Sequence, residues 1–428
     1  MVSLNDAPSV ALPPTATPAL RPPSWRRPRI VSLLGPAFVA GVAYLDPGNV
    51  ASNMTAGARY GYLLVWVVVA ANLVAWLVQY LSAKLGLVTG LSLPEIMGRR
   101  LTNVWGRRLY WLQAELVAMA TDVAEVVGGA IALSLLFGIP RLLGGLLTGV
   151  VSMLVLAIQN HRGAKPFERT ITAMMVIIAV GFTAGLFLAP PSPTATLAGL
   201  LPRFEGTDSV LLAASIIGAT VMPHAIYAHS ALTRDRFGRV KEGSARDHVL
   251  RATRWDVTIA LTVAGSVNLG ILLLAASTLE GKVIADTLEG AYHALRTVGA
   301  VVPTFFAVGL LASALASTSV GAYAGAEIMH GLLAFRIPLL LRRLITLIPA
   351  LALLALNLAP TWALVLSQVV LSFGIPFALV PLVVVTSERS VLGSSVNRWY
   401  TTVAASVAAA LLVILNVTLL VVLVRDMR

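Results

Sequence analysis

Eleven stretches of the chain are apolar over about the 20 residues that an α-helix needs to cross a hydrocarbon core. They lie roughly at 31–57, 62–87, 109–135, 141–159, 168–189, 208–231, 254–278, 299–330, 338–358, 362–386 and 400–424. Only 12% of the 428 residues are charged and 57% are hydrophobic. That is about half the charge share of a soluble domain, too little to clothe a water-facing surface. The chain therefore reads as an all-α, polytopic integral membrane protein with 11 transmembrane helices. Gly, Pro or polar residues interrupt the first, sixth and eighth stretches, whose extents are the least defined. Disorder, fibres and disulfide scaffolds are excluded. Without cysteine, so are thiol catalysis and thiolate metal ligation.

Residues 1–30 are rich in Pro, Ser and Arg and read as a disordered cytoplasmic arm, with no apolar core of a cleavable signal before Ile30. Residues 31–428 then form a single transmembrane domain. An odd number of spans puts the termini on opposite faces. With the N-terminus inside, 24 Lys/Arg fall on the cytoplasmic face and 7 on the other, accounting for all 31. This obeys the positive-inside rule. The N-terminus is expected in the cytoplasm, the C-terminus outside, and the protein in the plasma (bacterial inner) membrane. The net charge of +12 then sets topology, and nucleic acid is not an expected partner. Lipid is; no obligate protein partner or resident cofactor is expected.

Two spans are broken near mid-membrane. The first contains AYLDPGNV, with Asp46-Pro47-Gly48-Asn49, and the sixth GATVMPHAIYAHS, with Met222-Pro223-His224. Proline removes an intrahelical hydrogen bond and disfavours helix at the preceding residue; glycine permits almost any backbone geometry. Unwound backbone at that depth survives only when buried in protein or lining a wet cavity. Simple proline kinks would account for either break alone. The breaks, however, fall five spans apart. That spacing is expected if 31–189 and 208–386 are inverted repeats of five helices, each opening on a broken helix, with 400–424 added. Interrupted segments at matching positions of two repeats mark the substrate site of a secondary transporter.

The first break offers the Asp46 carboxylate and the Asn49 amide oxygen, the second the Met222 thioether. Unwinding also frees carbonyls about one turn earlier, those of Ala43 and Ala219. A lone Asp at the bilayer centre costs about 2.5–3.5 kcal/mol on insertion scales, which a cation offsets. Oxygen ligands suit Mn²⁺, Mg²⁺ and Ca²⁺ alike, whereas a thioether favours softer transition metals, so the set points to Mn²⁺ or Fe²⁺. A methionine in a membrane helix is ordinarily packing; its place beside Pro223 in a broken span singles out Met222.

The DPGN of Asp46–Asn49 and the MPHAIYAHS of Met222–Ser230 resemble the two signature motifs of the Nramp divalent-metal transporters. AELVAMATDVAEVVG (114–128) and LVLSQVVLSFGIPFALVPL (364–382) resemble that family's third and tenth helices. The resemblance runs from about residue 31 to 424. It implies a LeuT-like fold and proton-coupled uptake of Mn²⁺, Fe²⁺ and related ions such as Cd²⁺ and Co²⁺, with rejection of Ca²⁺ and Mg²⁺. It also implies that Asp46, Asn49 and Met222 are the side-chain metal ligands, joined by the carbonyls of Ala43 and Ala219, with Gln368 entering in the occluded state. The motif usually has a larger residue where this chain has Ala228.

Span 3 carries Glu115, Asp122 and Glu125. At about 3.6 residues per turn, offsets of seven and three place all three on one stripe. The stripe must face the protein interior, as a structural network neutralised by Arg342 and Arg343 at the start of span 9 or as a proton relay. The resemblance implies the relay. Asp46 would release a proton when metal arrives, because the dication favours the carboxylate form, and the proton would leave through Asp122 and Glu125. His224 beside Met222 is either structural or a carrier of protons or metal. His229 is expected to line an inner vestibule, and Glu327 and His330 to form a solvated or gating pair.

No HExxH, GxSxG, Walker A or GxGxxG motif occurs, and six scattered histidines form no catalytic set. An enzyme is not expected. A channel would need a continuous pore or a repeated filter loop. An amino-acid carrier coupled to protons or cations, on the same fold, is the alternative; Asp46 would there repel a substrate carboxylate.

Overall fold

The computed structural model describes residues 33–162, 164–281, 287–335, 337, 339–356 and 359–426. The predicted arm at 1–30 lies outside them. The described chain is helical throughout: α1 (Pro36–Ala43), α2 (Pro47–Tyr60), α3 (Val65–Thr89), α4 (Leu93–Arg100), α5 (Val104–Phe137) and α6 (Arg141–Arg162). There follow α7 (Ala164–Thr183), α8 (Pro193–Ala198), α9 (Gly206–Thr220), α10 (Pro223–Phe237), α11 (Ser244–Thr278) and α12 (Leu288–Ala294). The last are α13 (Val302–Leu333), α14 (Leu339–Ala355), α15 (Pro360–Ser387), α16 (Arg389–Leu392) and α17 (Trp399–Asp426).

Local chemistry sets the helix ends. Proline opens α1, α2 and α10, where its missing N–H has no intrahelical role. Ser92 and Glu95 cap α4 reciprocally. Helices α3 and α5 stop at Gly90 and Gly138, at φ of 70° and 67°, a left-handed geometry that glycine adopts without a Cβ clash.

Among the described residues, eight helical stretches are long and apolar enough to cross a membrane, with α9 and α10 forming one of them, Gly206–Phe237. Eleven were expected, and the difference lies in three places. The stretch 31–57 is divided into α1 and α2 of 8 and 14 residues, each short of a hydrocarbon core of about 30 Å at about 1.5 Å per residue. In the stretches 141–159 and 338–358 the described apolar parts are Arg141–Val155 of α6 and Leu344–Ala355 of α14, within helices that run over Arg141–Arg162 and Leu339–Ala355.

Burial divides the helices into core and periphery. The apolar part of α9–α10 is 83% buried and that of α17 only 28%; α5 and α13 belong with the former. Lipid is as apolar as leucine, so close backbone approach, rather than a hydrophobic drive, holds such helices together. Gly181 of α7 and Gly309 of α13 show it: a Cβ on Gly181 would stand 2.7 Å from the Gly309 Cα.

Candidate functional site

Helix α1 ends at Ala43 and α2 starts at Pro47; α9 ends at Thr220 and α10 starts at Pro223. The two prolines delete the N–H groups that would close i to i+4 bonds onto the carbonyls of Ala43 and Ala219. Each half-helix thus ends in carbonyl oxygens bearing partial negative charge. The two breaks meet. Asn49 Nδ2 lies 2.5 Å from the Tyr44 carbonyl oxygen and 3.5 Å from that of Ala219. One turn further, Ser52 Oγ is 2.5 Å from Ser215 Oγ.

Asp46 caps α2. Its carboxylate accepts from the Asn49 N–H at 2.9 Å and the Gly48 N–H at 3.3 Å, and from Gln368 Nε2 on α15 at 2.9 Å. A Cβ on Gly48 would overlap the Gln368 amide, so glycine is what lets α15 approach the break. Met222 occupies the N-cap position of α10 without a side-chain hydrogen bond to it, three residues beyond Ala219. Asp46, Asn49, Ala219, Met222 and Gln368 are all 0% exposed and Ala43 is 1%, so the site is closed to solvent from both sides. Gln368 Oε1 has no hydrogen-bond partner among the described residues. A buried acceptor left so costs about 1–3 kcal/mol, a penalty that a nearby cation removes. Among the described residues no three His, Asp or Glu cluster as metal ligands. The donors that the two breaks offer are one carboxylate with amide, carbonyl and thioether groups.

Sequence reasoning passed over several residues at the site. Asn53 Nδ2 donates to Asn49 Oδ1 at 2.6 Å, Asn268 Nδ2 donates to the Tyr44 carbonyl at 2.9 Å, and Gln79 Nε2 donates to the Tyr44 hydroxyl. A signal existed for the first: Asn49, Ser52 and Asn53 make a polar stripe at helical spacing in an apolar span. For Gln79 and Asn268 the only mark was one amide among apolar neighbours. The expectation for His229 needs correction. It is fully buried, with Nδ1 2.7 Å from Gln79 Oε1, and packs between α10 and α3 instead of lining a vestibule.

The acidic stripe of α5 is buried, with Glu115, Asp122 and Glu125 at 9%, 3% and 0% exposure. It extends over ten residues, about 15 Å of helix. Arg342 Nη2 pairs with Glu115 Oε1 at 2.7 Å; the Arg343 side chain lies outside the described residues. Next to Asp122, Thr121 Oγ1 lies 3.4 Å from His224 Nδ1. His224 is buried, and its Nε2 has no hydrogen-bond partner among the described residues. His224 of the second break thus lies against the turn of α5 that carries Asp122.

A family model described as natural resistance-associated macrophage protein-like matches residues 37–422. The chain belongs to the Nramp family. It is 60% identical over 389 residues to the divalent metal cation transporter MntH of Mycobacterium tuberculosis, covering 91% of each chain. It is similar to the solved manganese transporter of Eremococcus coleocola, with a TM-score of 0.81 and 31% identity over 90% of this chain and 85% of that one. With MhsT, solved in complex with L-phenylalanine, it shares the fold alone, at a TM-score of 0.54 and 14% identity over 89% of this chain and 98% of that one. As a member of Nramp the protein is a membrane transporter and not an enzyme.

In this Nramp chain both half-helices are tied down at the ends away from the breaks. Asp256 of α11 accepts from the N–H groups of Gly35 and Ala37 at 3.0 and 2.9 Å, capping α1. At the far end of α10, Arg234 reaches Glu95 of α4 at 2.7 Å and Glu327 of α13 at 2.9 Å. The Tyr323 hydroxyl donates to Asp235 at 2.7 Å. Glu327, of the pair expected to be solvated or gating, is half-buried and ion-paired and so is not solvated. Burial raises the Glu95 carboxyl, but the Ser92 N–H and the Arg234 guanidinium outweigh it and leave it below the ordinary carboxylate value.

Proposed function

We propose that the chain is a proton-coupled secondary transporter that imports Mn²⁺ and Fe²⁺, and also Cd²⁺ and Co²⁺, and rejects Ca²⁺ and Mg²⁺. The observation that carries this reading is the meeting of two carbonyl-ended helix breaks around one buried carboxylate. The metal, as cargo, is held by the Asp46 carboxylate, Asn49 Oδ1, the Met222 sulfur and the carbonyls of Ala43 and Ala219. Gln368 Oε1 completes the set when the site is closed. Asn49 turns its N–H toward Ala219, so holding a cation requires its amide to turn over. Among the described residues Asn53 Oδ1 lacks a donor; if the Asn53 amide turns as well, that oxygen takes up the displaced Asn49 N–H. Oxygen donors hold any divalent cation, and the thioether tips the preference toward soft transition metals.

Metal arrival expels the Asp46 proton, which leaves past His224 through Glu125 and Asp122 toward Glu115 and Arg342. The ties at Asp256, Glu95 and Glu327 release the half-helices α1 and α10 as access alternates. The same reading keeps eleven crossings in two inverted repeats, 31–189 and 208–386, with α17 added. It sets the N-terminus in the cytoplasm and the C-terminus outside the plasma membrane. An amino-acid carrier fits less well, because Asp46 would face a substrate carboxylate.

Proteoliposome uptake of Mn²⁺, Ca²⁺ and Mg²⁺ under an imposed pH gradient tests the proposal. Saturable Mn²⁺ uptake, driven by protons and absent from folded Asp46→Ala, is the expected result. Transport retained in Asp46→Ala would remove Asp46 from the site. Met222→Ala should keep Mn²⁺ uptake and admit Ca²⁺; unchanged selectivity would deny the sulfur a selective part.

A further inference from the structure

Helices α3, α9 and α17 enclose a groove of about 410 Å³ that the transport site does not use. Its lining is hydrocarbon apart from the Thr418 hydroxyl and the Trp66 indole, and the indole N–H is already taken by the Arg203 carbonyl at 3.2 Å. We propose that this groove holds one acyl chain of an anionic phospholipid, with the phosphate at Arg203.

Three observations select that occupant. The first is length. Along α9 the lining runs from Val210 to Val221, about 16 Å at helical rise, which is half of a hydrocarbon core of about 30 Å. That is the depth of one leaflet and of one chain within it. The second is access. Leu411 and Ile414 of α17 line the groove and are each 60% exposed, so the groove is continuous with the lipid-facing surface. Water has no polar partners there and does not fill such a space. The third is charge. Phe204 lines the groove and packs edge-on against Trp66, ring centroids 5.4 Å apart. Its neighbour Arg203 is exposed. An interfacial Trp beside an exposed Arg is the chemistry of a headgroup level, and a guanidinium binds phosphate oxygens in bidentate fashion.

Occupancy is linked to transport, a step that rests on the function proposed above. Val210, Ala213 and Ile217 of α9 line the groove together with Val221 at its C-cap, and Val221 directly precedes Met222 at the break. A chain that binds one setting of α9 better than another shifts the balance between them.

The test uses the full-length protein in vesicles with brominated acyl chains, which quench nearby tryptophan. There are 8 tryptophans, so the difference between wild type and Trp66→Phe isolates the groove. Brominated phosphatidylglycerol should quench Trp66 about fivefold more effectively than brominated phosphatidylcholine, the worth of one basic residue at an anionic surface. Arg203→Glu should abolish that preference, and Ala408→Phe, which fills the groove, should abolish the excess quenching by both lipids. Trp66 quenching that merely follows the bulk mole fraction of brominated lipid in the wild type would overturn the site, as would excess quenching that survives Ala408→Phe. A preference for phosphatidylglycerol that survives Arg203→Glu would overturn the headgroup assignment. Should Ala408→Phe fail to fold, Ala408→Leu replaces it, and the wild-type comparison still decides. Mn²⁺ uptake in the same vesicles keeps the two readings apart. Lost quenching with unchanged uptake overturns only the link to transport, while absent wild-type uptake would sink the transport reading and leave the lipid site standing.

Discussion

The Arg342–Glu115 pair ties α14 to the acidic stripe, and its energetics can be worked from its geometry. At 2.7 Å and an effective dielectric near 20, Coulomb's law gives about 6 kcal/mol of gross attraction. Taking both ions out of water costs several kcal/mol of that, so the pair as a whole is worth little beyond an apolar substitute. Breaking it is another matter. The side chains are 6% and 11% exposed, and a charge orphaned in such a place costs about 3–5 kcal/mol. Arg342→Met and Glu115→Gln should each lower the unfolding free energy by that amount. The double variant leaves no orphan and should cost far less than the two singles together, which sum to about 6–10 kcal/mol. Unfolding in mixed micelles by SDS titration, across all four members of the cycle, measures this. Strict additivity would refute the argument, because two independent packing defects behave that way and a charge pair does not.

Further perturbations probe other parts of the molecule. Gly48→Ala drives a methyl into the Gln368 amide that donates to Asp46; calorimetry should show Mn²⁺ affinity at least about tenfold weaker, the equivalent of 1.4 kcal/mol. Unchanged affinity would place that contact outside the metal site. Asp256→Ala removes the acceptor for two N–H groups at the start of α1. Losing a helix cap costs about 0.5–2 kcal/mol, so the cytoplasm-open population should rise about 2- to 30-fold. The chain has no cysteine, so one engineered cysteine on α1 reads that population by its labelling rate, and an unchanged rate would dismiss the cap as a latch. Asp122→Asn should reduce proton flux more than metal binding, and equal loss of both would mark the stripe as structural. Glu95 is held below its ordinary value, so its stabilisation is complete above the unfolded Glu value of about 4.3 and disappears as pH falls through the lower folded value. Glu95→Gln should flatten the stability curve in that acidic window alone.

What the sequence determined by itself was local. Apolar runs of spanning length set a helical membrane protein, because lipid offers backbone groups no hydrogen bonds. Pro47 and Pro223 determined which carbonyls are released, because the missing N–H acts only four residues back, on Ala43 and Ala219. The spacing of Glu115, Asp122 and Glu125 put three acids on one face for the same kind of reason. The tertiary structure decided the pairings. Gln368 sits on Asp46 across 322 residues, Arg342 on Glu115 across 227, Asn49 on Ala219 across 170 and His229 on Gln79 across 150. Tertiary packing also turned His229 away from its expected vestibule. Periodicity tells which face of a helix is buried; it carries no information about what lies opposite. That is set by how closely helices approach, and so by glycines such as Gly48 whose role is visible only against the neighbour they admit.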